Sequence, residues 1–415
     1  MSLDRIELVA IGNELLLGHT LDTNGADIAR VLADLGIEIV RRSAVPDRAE
    51  EIAAAVADAL RRTGAVITTG GLGPTRDDVS KKAVADLYRM PLEFEETVWA
   101  DIVARFARAQ RTPVASNRGQ AEVPRGATVL RNRWGTAPGL WLEGQPGLTI
   151  MLPGVPREMR KLLEFEVGPR LAARAGGAVV RSLLVRTTAI PESTLAERMG
   201  DVEREIAPLT LAYLPGTHGV DLRLTAWRME PSEADSRLRE AADLLTSRAG
   251  EHVYGEGDMD LAAVVLGRAR RAGVSLGAAE SCTGGLVGGR LTDIPGSSDV
   301  FIGAVVCYAN RLKTELLDVS QDLIEAHGAV SEEVARAMAE GTLRRLQVDL
   351  AVAVTGIAGP GGGTPDKPVG TVWLAVASAA RTEARRIVFL GSRQEIRERA
   401  AQTALYLLDR RLLAD

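Results

Sequence analysis

The chain has 415 residues, 46% of them hydrophobic and 25% charged, the balance of a folded protein with two or three domains and not of a disordered or fibrous chain. Its formal net charge of -5 excludes a global electrostatic pull toward nucleic acid or an anionic membrane, so no strong nucleic-acid binding is expected. No apolar run reaches the roughly 18–20 residues of a membrane span; two cysteines, scattered histidines and the absence of a signal-like start predict a reducing, cytoplasmic setting in which any metal is held by oxygen.

From Arg5 to about Leu163, short apolar runs alternate with amphipathic helices: a strand at Ile6–Ile11, a helix from Asn24, a strand near Ile37–Val40, a helix from Ala49 and a strand at Ala65–Thr69. This alternation predicts a parallel, layered sheet. In the first helix Ile28, Val31, Leu32 and Leu35 share one face, and Gly36 supplies the stop. Two polar groups interrupt the apolar pattern, Gly12-Asn13-Glu14 and Asp22-Thr23-Asn24. Helix capping accounts for Asp22 or Thr23 but not for Glu14. After the third strand comes Thr69-Gly70-Gly71-Leu72-Gly73-Pro74-Thr75-Arg76-Asp77-Asp78. Its glycines let backbone N–H groups ring an anion at the carboxyl edge of the sheet. The paired carboxylates would repel a phosphate unless a divalent cation lay between them, so the stretch reads as a metal-phosphate site with Asp78, Asp77 and Glu14 as ligands, or as an Asp cap on a tight turn.

Periodicity lapses around 164–178, at Gly168-Pro169 and Gly176-Gly177. A smaller α+β unit follows: strand Val179–Thr188, helix Ser193–Met199, strands Leu209–Leu214 and Leu222–Trp227, helix Ala234–Ala249. Gly216-Thr217-His218-Gly219 matches a Gly-x-x-Gly nucleic-acid clamp in form but carries no Lys or Arg, which favours a hairpin turn. A break at Tyr254–Asp258 precedes another αβ series, with a helix from Leu261, strands at Val274–Ala279 and Ile302–Tyr308, helices to about Leu346, strands near Leu350–Thr355 and Val369–Ala377, and a last helix from about Gln394 to Leu412.

Two loops of this last series carry chemistry. Ala279-Glu280-Ser281-Cys282-Thr283-Gly284-Gly285 sits at a strand-to-helix junction, where a serine hydroxyl stands above the sheet and turn N–H groups can hold an oxyanion. His327, at a helix end, leaves a Ser-His-Asp triad without its base. Lysine occurs at only five positions, and Lys313, behind the strand that neighbours that of Ser281, is the candidate proton acceptor. A Ser-Lys dyad and a capping Ser with a surface Lys both fit this spacing. The second loop, Thr355-Gly356-Ile357-Ala358-Gly359-Pro360-Gly361-Gly362-Gly363 ending in Asp366-Lys367-Pro368-Val369-Gly370, is either a phosphate nest or a mobile loop, and Pro360, Pro368 and Lys367 favour the nest.

Together these strings resemble the competence/damage-inducible CinA family over the whole chain. The N-terminal part is similar to the molybdopterin-binding fold through Gly12–Leu16, Asp22–Asn24, Thr69–Thr75 with Asp77-Asp78, and Leu152–Pro156 with Glu158-Met159. The middle part is similar to the family's KH-type domain. The C-terminal part resembles nicotinamide mononucleotide deamidases through Ala279–Gly285, Tyr308, Asn310, Lys313, Gly328–Ser331 and Thr355–Pro360.

The resemblance implies three parts: an α/β domain at 1–170, a small α+β domain at 171–256 and an α/β amidase domain at 257–415. It implies a hydrolase that needs a divalent metal such as Mg2+, cleaving ADP-ribose to AMP and ribose 5-phosphate at Gly70, Gly71, Gly73 and Thr75. It also implies an amidase, without cofactor, that turns nicotinamide mononucleotide into nicotinic acid mononucleotide. There Ser281 attacks, Lys313 is the base, Tyr308 and Thr355 are catalytic, and Thr283, Gly284, Gly285, Asn310, Gly356, Gly359, Gly361 and Lys367 bind substrate. A homodimer is implied as well. The rivals are a pterin-binding protein and a non-enzymatic partner in DNA uptake or repair, the latter opposed by the net charge.

Overall fold

The computed structural model describes residues 3–414. Its contacts divide the chain into two compact units, one running through Arg181 and including Ala226–Ser236, the other formed by Ser182–Thr225 and the chain from Arg237 onward.

The first unit is built on strands β1 (Arg5–Ile11), β2 (Glu38–Val45), β3 (Ala65–Thr69), β6 (Thr128–Leu130), β7 (Gly139–Gly144) and β8 (Gly147–Leu152), in the order β2-β1-β3-β8-β7-β6. A separate two-stranded ribbon pairs β4 (Leu92–Phe94) with β5 (Glu122–Pro124). The predicted parallel sheet covers only β1, β2, β3 and β8; β7 and β6 add antiparallel, because Gln145-Pro146 closes a hairpin between β7 and β8 where no helix intervenes. The helix Thr23–Asp34 packs on one face through Ile28 and Leu32, and each such side chain contributes roughly 1.5–3 kcal/mol on burial. The helix Ala49–Thr63 presents Ile52, Val56, Ala59 and Leu60 to the opposite face and stops at Gly64, whose φ of 76° places it in the left-handed region. Because these two helices lie on opposite faces, the chain leaves β1 in one direction and returns past it to β3. That makes the β1/β3 edge a topological switch point, where an open α/β sheet holds its ligands. The lapse expected at Gly168-Pro169 is instead helical, as Gly168–Ala172 continues the helical run from Pro156. Proline is tolerated there because it enters the first turn of its helix.

In the middle segment the predicted strands appear as β9 (Val179–Thr187), β10 (Thr210–Pro215) and β11 (Val220–Met229). The supposed break before residue 258 holds a further short strand, β12 (Val253–Glu256), so the sheet runs β10-β11-β9-β12. The Gly216–Gly219 stretch closes the β10-β11 hairpin through the Gly216 N–H, which donates to Gly219 O at 2.8 Å. Within the second unit, the Thr188 hydroxyl donates to His218 O and receives the side-chain N–H of Gln402, tying this hairpin to the last helix.

The C-terminal sheet contains β13 (Leu276–Glu280), β14 (Phe301–Val306), β15 (Leu350–Gly356), β16 (Thr371–Ser378) and β17 (Thr382–Val388), in the order β14-β13-β15-β16-β17. The strands β13, β14 and β15 are parallel, and β16 and β17 antiparallel. Helices Leu261–Ala272, Leu286–Thr292 and Arg393–Ala414 cover one face with a large apolar cluster. The other face is lined by Ala279, Ala353, Ala375 and Ala377, whose small side chains let the helix Glu332–Leu346 approach closely. The switch point of this sheet falls between β13 and β15. No helix among the described residues is long and apolar enough to cross a membrane.

Candidate active site

Ser281 follows β13 directly, and its N–H donates to Val354 O of β15 at 2.9 Å. Since Glu280 stands in register with Val354, Ser281 and Thr355 lie side by side at the switch point. The helix Asn310–Leu317 brings in the second member. Lys313 and Leu317 are one turn apart on its buried side, and Lys313 keeps only 1% of its surface exposed. Its Nζ donates to Ser281 Oγ at 3.1 Å, to Cys307 O at 2.9 Å and to Tyr308 O at 3.5 Å. Burial pushes the Lys313 ammonium below the ordinary lysine range, which favours the neutral amine. The reading as a surface lysine is thereby excluded. Cys282 is a poor competitor for Ser281, because burial drives its thiol up to about 12.

The remaining sequence-predicted residues gather unequally. Thr355 is buried and donates from Oγ1 to Ala329 O at 2.7 Å. Asn310 opens the helix that carries Lys313, one turn before it. Thr283 is fully buried and its hydroxyl has no partner among the described residues. Gly284 and Gly285 have φ of 60° and 98°, conformations that glycine alone adopts without strain. Tyr308 is exposed, and its Oη receives Arg393 Nη2 at 2.9 Å while Arg393 Nη1 donates to Gly359 O at 2.6 Å. Gly356 lies against Val372, and Gly361 is exposed. Lys367 is turned aside, its ammonium donating to His327 O at 2.8 Å.

Three residues of this site were not singled out from the sequence. Glu280 is completely buried, and its carboxylate accepts from the N–H groups of Gly285, Val287 and Gly288 at 2.9, 3.1 and 2.8 Å. A carboxylate closing an apolar strand was the available signal. Arg393 and Arg397 come from a helix more than a hundred residues away, and Arg397 holds Cys282 O and Thr283 O at 3.1 and 2.8 Å. Their i, i+4 spacing carries no local hint of that role.

At the β1/β3 edge, Gly70 has φ 102°, and a Cβ there would lie 2.2 Å from Ile11 O, so only glycine lets the two strand ends meet. Gly71 is equally tight against Ser80 Oγ. A cavity of about 100 Å³ opens beside them, lined by Glu14, Asp22, Asn24, Thr69 and Gly154. Asp22 caps its helix through Gly25 N at 2.9 Å, and Asn24 Nδ2 donates to Gly154 O at 2.8 Å. Asp78 faces inward to its own loop, accepting from Gly73 N at 2.7 Å, Thr75 N at 2.8 Å and the Thr75 hydroxyl. The anion held by this glycine loop is therefore the loop's own carboxylate. Asp77 is exposed, and Glu14, exposed on the short helix Asn13–Leu16, folds back over Gly12. Among the described residues no group of three or more His, Cys, Asp or Glu side chains is placed to hold an ion. The expected ligands Asp78, Asp77 and Glu14 are thus not gathered into one carboxylate cluster, and the Asp78 oxygens are taken up by its own loop.

Comparison with known proteins follows the same three segments. Residues 7–173 match a probable molybdopterin binding domain, 182–255 the damage-inducible protein CinA KH domain, and 258–412 the CinA C-terminal domain. A CinA-like protein of Gemmatimonas aurantiaca is 52% identical over 98% of this chain and 96% of its own. A putative competence-damage inducible protein of Symbiobacterium thermophilum is 43% identical over 98% of both chains. Among solved structures, a competence/damage inducible protein from Agrobacterium tumefaciens is 42% identical, covers 36% of this chain and 91% of its own, and has a TM-score of 0.35. With all three segments matched and full-length relatives at this identity, the chain belongs to the CinA family.

Proposed function

We propose that the C-terminal domain hydrolyses the carboxamide of nicotinamide mononucleotide, releasing nicotinic acid mononucleotide and ammonia, with Ser281 as nucleophile and Lys313 as base. The observation that carries this reading is the buried Lys313 amine 3.1 Å from the Ser281 hydroxyl. A neutral amine takes the hydroxyl proton as Oγ bonds to the carboxamide carbon. The tetrahedral oxyanion collapses, the C–N bond breaks, and Lys313 returns the proton to the departing ammonia. Lys313 then deprotonates a water that attacks the ester, freeing the carboxylate and restoring Ser281. For the substrate's phosphate, Arg393 is the better-placed cation, since it bridges Tyr308 and Gly359 whereas Lys367 is engaged with His327 O.

For the N-terminal cleft we propose hydrolysis of ADP-ribose to AMP and ribose 5-phosphate, with the exposed Arg76 and Arg157 beside its turns supplying positive charge for the two phosphates. Product analysis of the intact chain tests both readings. Incubation with nicotinamide mononucleotide alone should yield ammonia and nicotinic acid mononucleotide, and incubation with ADP-ribose alone should yield AMP. An unchanged first substrate would sink the amidase reading; molybdopterin binding without ADP-ribose cleavage would replace the second with a pterin site.

A further inference from the structure

The turn after the nucleophile has more N–H groups than an oxyanion needs, and the structure distinguishes among them. Glu280, the residue before Ser281, takes those of Gly285, Val287 and Gly288, the first donors of the helix Leu286–Thr292. Gly284 N is closed onto Ser281 O at 3.1 Å. In a trans peptide the N–H points opposite the preceding C=O. Arg397, by holding Cys282 O at 3.1 Å, therefore turns the Thr283 N–H away from itself, and the Ser281 O···Gly284 contact does the same for the Cys282 N–H. Among the described residues neither of these two N–H groups donates to the backbone of another residue, and the Cys282 N–H has only its own thiol beside it.

We propose that Glu280 is a positioning residue: its carboxylate takes up the helix's leading N–H groups, fixes the turn, and leaves the N–H groups of Cys282 and Thr283 as the pair that holds the anionic oxygen. This rests on the reading of Ser281 as a serine nucleophile, but not on the identity of the substrate. An alkyl fluorophosphonate is the probe: an activated serine Oγ bonds to phosphorus as the P–F bond breaks and fluoride leaves with the hydroxyl proton, and the polar phosphoryl oxygen of the adduct then stands in the place of the oxyanion. In the wild-type chain, formation of the Ser281 adduct should raise hydrogen-exchange protection at the amides of Cys282 and Thr283, while Gly285, Val287 and Gly288 are protected before and after. Protection gained at Gly285, Val287 or Gly288, or at none of the five, overturns the proposal, as does a wild-type chain that is not labelled at Ser281.

In Glu280→Gln one acceptor oxygen is replaced by an amino group facing N–H donors. Labelling should slow about 100-fold, and kcat for deamidation should fall similarly with KM changed less than about threefold, the scale of losing one oxyanion donor. A folded Glu280→Gln chain labelled at the wild-type rate overturns the assignment. Should that variant fail to fold, the exchange measurement on the wild type decides alone. A wild type that is labelled at Ser281 but leaves nicotinamide mononucleotide untouched removes the proposed substrate and leaves Glu280 to be judged on labelling and exchange.

Discussion

Burial of the Lys313 side chain, which keeps 1% of its surface exposed among carbonyls and a serine hydroxyl, shifts its balance toward the uncharged form, and among the described residues no carboxylate accepts from it to oppose that shift. The Lys313 pKa lies below that of a free lysine, so the base form becomes populated before ordinary lysines titrate. Deamidation should therefore rise with pH and reach its plateau below the usual lysine range near 10.4. Lys313→Arg, which cannot release its proton, should lose about 10²–10⁴-fold in kcat at every pH. A wild-type profile that is flat or falls from pH 6 to 10, or an arginine variant with normal turnover, would remove Lys313 from the role of base. Asp78 calls for the opposite kind of prediction. Because both its oxygens receive loop donors, Asp78→Asn places an amino group against an N–H and should loosen the Gly70–Asp78 loop by about 1–3 kcal/mol. ADP-ribose cleavage should drop, and added Mg2+ should not restore it. Rescue by metal would reinstate Asp78 as an ion ligand. The sequence makes Ser281 and Lys313 readable as candidates because serine on an elbow and lysine in an arginine-rich chain both stand out. It hides the inward turn of Asp78, since a carboxylate beside glycines looks the same whether it faces an ion or its own backbone.

The elements owe their positions to close approaches that local patterns only partly reveal. Strands β1, β3, β13 and β15 read directly as apolar runs because both their faces are covered. Strand β17 escapes that pattern: Thr382–Val388 is an edge strand with Glu383, Arg385 and Arg386 exposed, the adjacent arginines breaking the alternation, and its apolar content is too small to stand out. The helix Glu332–Leu346 shows a different dependence. A Cβ on Gly341 would lie 2.0 Å from Leu317 O, at the end of the helix that carries Lys313. Gly341→Ala must push that helix away, which should cost about 1–3 kcal/mol by overpacking and reduce deamidation more than it alters substrate KM. Thermal melting and steady-state kinetics check this together; unchanged stability and kcat would mean that the two helices do not set the Lys313 position.

At the scale of the whole chain, two α/β sheets of different strand order each place a turn and a glycine loop at a switch point, and the middle segment adds a third, smaller sheet. The order of the segments was readable in the sequence because glycine-rich stretches interrupt the apolar periodicity near each junction, whereas β12 was not, as its four residues include a glycine and a glutamate and depend on β9 for pairing. The central claim concerns one hydroxyl, and it is tested most directly by measuring ammonia release from nicotinamide mononucleotide by the intact chain and by Ser281→Ala under the same conditions. Steady release by the wild type and a loss of at least about 10³-fold in the variant, with an unchanged melting temperature, is the result predicted for a covalent nucleophile. Release by a folded Ser281→Ala chain at the wild-type rate would contradict the mechanism outright.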